Sequence, residues 1–214
     1  MSRRCILVTN AKGGTGKTTF ALNLAAGFKR VSSTCLLDAD PQQSSTEWHR
    51  LADADDLPAL CTPPDEDLRS LVASCKQQYE TVVIDTAPNL RFANMGTLLT
   101  ACDYVLIPTQ PSPLDLWATI STFQALDLNA GAKKIKAFVV LNQLDAKNTL
   151  SLAMSEAMSE LNIPLFEHGI RRRAAYRTAA VEGCSVYGLG KRGAQAAQEI
   201  DAIVQEILQH EKLS

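Results

Sequence analysis

The chain has 214 residues, of which 46% are apolar and 21% are charged, a composition typical of a globular protein and unlike that of a disordered or collagen-like chain. Its 21 lysines and arginines against 23 aspartates and glutamates give a formal net charge of −2, so any affinity for nucleic acid must come from a local patch. The length lies within the range of one domain, and we expect residues 1–214 to form one.

Short apolar runs rich in β-branched residues recur along the chain, separated by segments of helical periodicity. We predict strands at residues 5–9, 34–37, 81–84, 104–107 and 137–141, and helices at residues 18–30, 44–52, 65–78, 114–129, 150–161 and 194–210. Residues 53–67, which are acidic and contain three prolines, are predicted to form an exposed connection. Because the strands are almost continuously apolar, the pattern indicates an α/β fold: a doubly wound, mainly parallel sheet with helices on both faces.

The six cysteines are scattered, with no Cys-x-x-Cys pair, which predicts buried free thiols in a reducing compartment rather than a metal site. The N-terminus runs directly into the first predicted strand, and no apolar run approaches the roughly 18 residues that a membrane span needs. We therefore expect a cytoplasmic protein.

A glycine-rich loop lies directly between the first predicted strand and the first predicted helix. Its residues are Lys12, Gly13, Gly14, Thr15, Gly16, Lys17, Thr18 and Thr19. The glycines let backbone N–H groups surround phosphate oxygens, and the helix N-terminus adds its positive dipole end. Lys17 is expected to reach the β and γ phosphates of ATP, and the Thr18 hydroxyl to bind Mg²⁺. The usual pattern begins with glycine where this chain has Ala11; the alternative is a glycine-rich turn without a ligand.

Acidic residues follow two predicted strands: Asp38 and Asp40 after the second, and Asp85 after the third. Carboxylates at the carboxyl ends of parallel strands face the crevice in which such sheets bind ligands. Asp85 ends a run of hydrophobic residues, as in a Walker B strand that carries a Mg²⁺-linked carboxylate. The alternative for Asp40 is an Asp-Pro turn, which leaves Asp38 unexplained.

Together with the additional lysine, Lys12, these motifs resemble those of the deviant Walker ATPases of the ParA/MinD family, over residues 6 to about 188. The resemblance implies a P-loop ATPase in which Lys12 reaches the partner's phosphates within an ATP-bound homodimer. It also implies that Asp38 is an outer-sphere Mg²⁺ partner, that Asp40 positions the attacking water, and that Asn142 binds the adenine edge. Residues 107–115 resemble the proline-containing segment near the nucleotide and dimer interface of small plasmid-partition members.

A basic segment lies late in the chain, where residues 168–192 contain six basic residues and one acidic residue. The basic residues are Arg171, Arg172, Arg173, Arg177, Lys191 and Arg192. Such a cluster favours contact with the phosphate backbone of DNA. The alternative is a solvated basic helix with one arginine that reaches the nucleotide.

The resemblance as a whole predicts a ParA-type ATPase that binds DNA without sequence preference, is associated with the nucleoid, and positions or segregates a plasmid, chromosome locus or protein organelle. A ParB-like or cargo-adaptor protein would stimulate its hydrolysis of ATP. Membrane binding is not expected, because residues 199–214 contain four acidic residues against one lysine. A MinD-like spatial regulator and a small-molecule kinase or ligase on the same fold remain the alternatives.

Overall fold

The computed structural model describes residues 3–52, 55–62, 67–88, 92–130, 136–145 and 150–212, without the side chains of residues 92–95, 97 and 127–130. A six-stranded sheet forms its centre. The strands are β1 (Arg4–Val8), β2 (Thr34–Ala39), β3 (Ala59–Cys61), β4 (Thr81–Thr86), β5 (Tyr104–Thr109) and β6 (Lys136–Leu141). Their order is β3-β2-β4-β1-β5-β6 and every pair is parallel, which confirms the predicted fold class.

Helices cover both faces of this sheet. They are α1 (Lys17–Lys29), α2 (Ser44–Arg50), α3 (Leu68–Gln78), α4 (Phe92–Ala101), α5 (Pro113–Ala130), α6 (Leu150–Glu160), α7 (Ala174–Val181) and α8 (Ala194–Lys212). No helix in the described ranges combines the length and apolar character needed to cross a bilayer.

Alternate residues of the strands pack into separate cores on the two faces of the sheet, as the two-residue period of a strand requires. In β1, Ile6 and Val8 pack into the core that contains α1 and α8, whereas Cys5 and Leu7 pack into the core that contains α3 and α4. All four side chains are fully buried. The near-continuous apolar character of the strands is therefore the consequence of burial on both faces.

The prediction for residues 53–67 was wrong in one respect, because β3 lies inside this segment and pairs with β2. β3 has only three residues, and Ala59 is exposed while its other two are partly buried, so it leaves no apolar run in the sequence. Residues 53, 54 and 63–66 of the segment lie outside the described residues, as do 131–135, which precede β6.

Two helices were also missed. α4 contains Gly96, which lowers helix propensity, and α7 spans only eight residues, too few to establish a period. β2 and β4 continue two residues beyond their predicted ends, to Ala39 and Thr86. This extension places Asp38 and Asp85 within the strands.

Candidate nucleotide site

The glycine-rich loop follows β1, and its last three residues, Lys17 to Thr19, begin α1. Gly14 and Gly16 have φ angles of 77° and 90°, in the left-handed region that favours glycine. Gly16 is also crowded, since a Cβ there would lie 2.5 Å from the Asn142 side-chain nitrogen. Thr15 is fully buried, and its hydroxyl has no hydrogen-bond partner within the described structure. The left-handed glycines and the unpartnered Thr15 hydroxyl are compatible with a loop that binds phosphate.

Neighbouring loops hold this loop in place. The Asn142 amide nitrogen donates to the Thr15 carbonyl at 2.7 Å, and the Gln110 amide nitrogen donates to the Gly14 carbonyl at 2.8 Å. The backbone N–H of Gln143 donates to the Asn142 amide oxygen at 2.8 Å. Asn142 thus fastens the loop to the end of β6; its predicted contact with adenine stays a prediction.

Lys17, the first residue of α1, is buried, and its ammonium donates to the Lys12 carbonyl at 3.0 Å. Burial lowers the pKa of Lys17, while the nearby carboxylates of Asp85 and Asp40 oppose that change. The lysine therefore lies among the predicted acidic residues, at the point where phosphate would be held.

The acidic residues form a row at the carboxyl edge of the sheet. Asp38 of β2 and Asp85 of β4 are direct register partners on neighbouring strands. Asp38 accepts hydrogen bonds from the Thr46 backbone N–H and hydroxyl at 2.9 and 2.8 Å, and from the Asp40 backbone N–H at 3.1 Å. Asp40 lies just beyond β2 and accepts from the Gln42 N–H at 2.9 Å. The predicted proximity of these residues is thereby present in the structure.

Asp85 is fully buried, and its carboxylate has the chemistry of a cation ligand. Burial raises the pKa of Asp85 to about 7, the nearby hydroxyls of Ser45 and Thr18 oppose the rise, and the neighbouring charges of Asp38 and Asp40 add to it. One carboxylate oxygen accepts from the Ser45 hydroxyl at 2.7 Å, whereas the other has no hydrogen-bond partner among the described residues. Carboxylate and hydroxyl oxygens are the ligands that Mg²⁺ takes in proteins, so Asp85 and Thr18 fit this ion.

Lys12, the other lysine of the loop, does not point toward these carboxylates. The Lys12 ammonium forms an ion pair with Asp115 of α5, with 2.6 Å between Nζ and Oδ2. The Ser112 hydroxyl also bonds to that carboxylate oxygen, and the other carboxylate oxygen has no partner in the described ranges. The Asp115 side chain is 3% exposed and that of Lys12 is 37% exposed. Lys12 is thus held at the surface of its own chain.

A cavity of about 370 Å³ opens beside the loop, between the ends of β6 and α1. Its lining includes Gly16 and Thr19 from the loop side, Asn142, Ile170 and Tyr176, together with the four basic residues Arg171, Arg172, Arg173 and Arg177. A cavity of this volume lies within the range of small-molecule sites. Four of the six residues predicted to bind DNA therefore border the space into which a nucleotide bound to the loop would extend.

The six basic residues differ in their partners. Arg173 pairs with Glu199 at 2.7 Å and Arg192 pairs with Glu182 at 2.7 Å. The others are exposed and form no ion pair within the described part of the chain: Arg171, Arg172, Arg177 and Lys191. Arg172, Arg173, Lys191 and Arg192 line a second depression of about 450 Å³. The basic surface is therefore continuous from the nucleotide cavity to the start of α8.

The side chains that hold the predicted groups in place were not predicted from the sequence. Ser45 and Thr46 lie on α2, which follows the Asp38 strand, and hold Asp85 and Asp38. In the sequence these two residues are only hydroxyl side chains at the start of a predicted helix. Such side chains are common there because they cap the helix, so they did not indicate a functional role. Asp115 closes the proline-containing segment that the sequence had singled out, but nothing in the sequence pointed to Lys12 as its partner.

The sequence matches a known family over most of its length. The family model for the CobQ/CobB/MinD/ParA nucleotide binding domain matches residues 6–186. The chain is 38% identical over 208 residues to "Maintenance of carboxysome distribution protein A" of Halothiobacillus neapolitanus, with 95% of each chain covered. It is 34% identical over 211 residues to the protein of the same name from Gloeobacter kilaueensis, with 95% of this chain and 94% of that protein covered.

Solved structures share the fold at lower identity. An ATP complex of McdA from Cyanothece superposes with a TM-score of 0.76 at 16% identity over 97% of both chains. The cell division ATPase MinD of Pyrococcus furiosus gives a TM-score of 0.72 at 21% identity over 100% of both chains. The match over residues 6–186, together with the two relatives above 30% identity, confirms the resemblance found in the sequence: the chain belongs to the CobQ/CobB/MinD/ParA family of nucleotide-binding proteins.

Proposed function

We propose that this protein is a ParA-type ATPase that dimerises when it binds ATP and Mg²⁺, binds the nucleoid without sequence preference, and distributes carboxysomes. The observation that carries the proposal is that the two lysines of the loop lie in different environments. Lys17 lies among the buried carboxylates, and Lys12 is held at the surface by Asp115. The cargo is suggested by the names of the two relatives that match 95% of the chain.

Within one chain, the site has the parts that hydrolysis of a phosphoanhydride requires. When bound, Mg²⁺ neutralises charge on the phosphates, which lowers the barrier to attack by water. Thr18 and Asp85 would hold the ion directly, and Asp38, whose oxygens already accept three hydrogen bonds, would act from a greater distance. Asp40 projects from the loop after β2, where it can orient a water molecule. Lys17 would contact the β and γ phosphates.

The dimer is supported by the surface around Lys12. Leu114 and Trp117 of α5 are 62% and 64% exposed. They lie three residues apart, on one face of the helix that also carries Asp115, the partner of Lys12. Exposed apolar side chains beside a charged group are typical of protein interfaces, in which aromatic residues are enriched. A second copy placed against this face would cover both side chains and bring a phosphate within reach of Lys12.

DNA binding is supported by the four basic side chains without an ion pair, which a dimer would double. Because two of the six predicted residues are engaged by Glu199 and Glu182, we assign the DNA contact to the remaining four: Arg171, Arg172, Arg177 and Lys191. Three of these four, Arg171, Arg172 and Arg177, line the cavity beside the loop, which offers a reason for ATP to control DNA affinity. A ParB-like or cargo-adaptor protein would then stimulate hydrolysis and release the protein from DNA.

The substitution Lys12→Ala tests the proposal. Because Lys17 remains to serve the protein's own phosphates, we expect binding of a fluorescent ATP analogue to be retained and ATP-dependent dimerisation, measured by light scattering, to be lost. In cells of the source organism that carry only this variant, labelled carboxysomes should lose their even distribution. A variant that still dimerises with ATP, or an even distribution of carboxysomes in its presence, would contradict the proposal.

A further inference from the structure

Three cysteines far apart in the sequence meet at one edge of the sheet. Cys35 lies on β2, Cys61 on β3 and Cys75 on α3, and their three sulfur atoms all lie within 4.8 Å of one another. β3 is the outermost strand and pairs with β2 through three residues. The thiols therefore come from three different elements and meet beside β3, the shortest strand of the sheet.

The cluster is closed on the inside and open on one side. Cys35 and Cys75 are buried at 0% and 2% exposure, whereas Cys61 is partly exposed. Cys35 and Cys75 belong to the apolar core that includes Leu37 and Ile84, and Cys61 packs against it. An ion could thus enter past Cys61 and find sulfur ligands with apolar surroundings behind them.

The spacing is close to that of sulfur atoms bound to one metal ion. With Zn–S bonds of about 2.3 Å, two sulfurs are about 3.8 Å apart in tetrahedral geometry and about 4.0 Å apart in trigonal geometry. Sulfurs within 4.8 Å therefore need to approach by less than about 1 Å. Thiolates select soft or borderline cations over Mg²⁺, which separates this cluster from the carboxylate site at the carboxyl edge.

We propose that Cys35, Cys61 and Cys75 form a binding site for one thiophilic divalent cation, for which Zn²⁺ is the probe. Three S–H bonds are replaced by three metal–sulfur bonds, three protons are released, and no electron is transferred. The site carries one net negative charge after binding, and the open side beside Cys61 leaves room for water as a fourth ligand. The ion fastens β3 and α3 to β2 and acts independently of the proposed ATPase activity.

The test uses the full-length reduced protein, freed of metal with a chelator that is then removed. Native mass spectrometry after addition of Zn²⁺ should show one ion per chain, and Co²⁺ should give the sulfur-to-metal absorption band of a thiolate site. Both signals should be lost in Cys61→Ala. They should be retained in the matched control Cys184→Ala, which removes a buried thiol outside the cluster.

Zinc should also raise the midpoint of thermal unfolding of the wild type, because a ligand that binds only the folded state stabilises it. It should not change that of Cys61→Ala. Circular dichroism and binding of a fluorescent ATP analogue verify that each variant is folded. Should Cys61→Ala not fold, alkylation of Cys61 in the wild type replaces it, and Zn²⁺ is expected to slow that reaction several-fold.

Three results would overturn the assignment: no zinc bound to the reduced wild type, an undiminished cobalt band in a folded Cys61→Ala, or alkylation of Cys61 at the same rate with and without zinc. Formation of a disulfide among the three thiols, without metal binding by the reduced form, would likewise show that the cluster is a pair of redox-active cysteines with a neighbour.

Discussion

Removing the ion pair between Lys12 and Asp115 should strengthen the ATP-dependent dimer, whereas the loss of an ion pair usually weakens a structure. If Lys12 must leave Asp115 to reach a second copy, each dimer breaks two such pairs. Asp115→Asn keeps the volume of the side chain and its contact with Ser112 but removes the charge that retains Lys12. We therefore expect this substitution to strengthen ATP-dependent dimerisation.

The magnitude follows from the geometry of the pair. At 2.6 Å, two unit charges attract by about 6 kcal/mol at an effective dielectric constant of about 20. Lys12 is more than a third exposed, so solvent screening and desolvation reduce the net value to about 1 kcal/mol. Two pairs then oppose the dimer by about 2 kcal/mol, which corresponds to a roughly 30-fold lower dissociation constant for the variant.

Sedimentation velocity with ATP and Mg²⁺ measures this constant, in a background in which Asp40→Ala prevents turnover. The matched control is Asp55→Asn, which breaks the pair between Lys29 and Asp55 at the opposite end of α1, about 20 Å from the loop. The control should leave dimerisation unchanged. A weaker dimer in Asp115→Asn would refute the reasoning and show that Asp115 presents Lys12 to the partner rather than retaining it.

Two further predictions concern chemistry and DNA. The Asp40→Ala variant should bind ATP and dimerise but hydrolyse ATP at least 100-fold more slowly, because the change removes the group proposed to orient water and leaves Asp85 and Lys17 in place. Phosphate release measures the hydrolysis rate, and turnover at the wild-type rate would assign the orientation of water to another residue. Replacing Arg172 and Arg177 with alanine should flatten the slope of log affinity against log salt by about 0.9 for each lost phosphate contact and weaken all DNA sequences alike. Lost ATP binding with unchanged DNA affinity would instead assign these arginines to the nucleotide.

Much of the site could be predicted because it depends on short-range patterns. Apolar runs located five of the six strands, and the parallel arrangement then brought Asp38 and Asp85 together as neighbours. The loop between β1 and α1 likewise depends on residues that are adjacent in sequence.

Contacts between distant segments could not be predicted in this way. The pairing of Lys12 with Asp115 and the position of Arg171 and Arg177 beside Gly16 depend on how helices and loops pack after the sheet has formed. The cluster of Cys35, Cys61 and Cys75 escaped prediction for the same reason, and additionally because β3 was not identified.

The segment from Cys184 to Val186 is hydrogen-bonded to both α1 and α2, which begin at the carboxyl edge of the sheet. The Trp48 indole of α2 donates to the Cys184 carbonyl at 3.1 Å, and the Val186 N–H donates to the Asn23 side chain of α1 at 2.8 Å. These contacts are buried, so the basic segment that contains them is packed against α1 and α2 and does not form an independent unit. Because both contacts use backbone atoms of the segment, a chimera that takes it from a relative must keep the same backbone path. A shifted backbone would leave the buried Trp48 indole and Asn23 amide without their partners, at a cost of about 1 to 3 kcal/mol each. The basic surface proposed to bind DNA is therefore tied to α1 and α2 by contacts that an exchange of side chains within the segment does not remove.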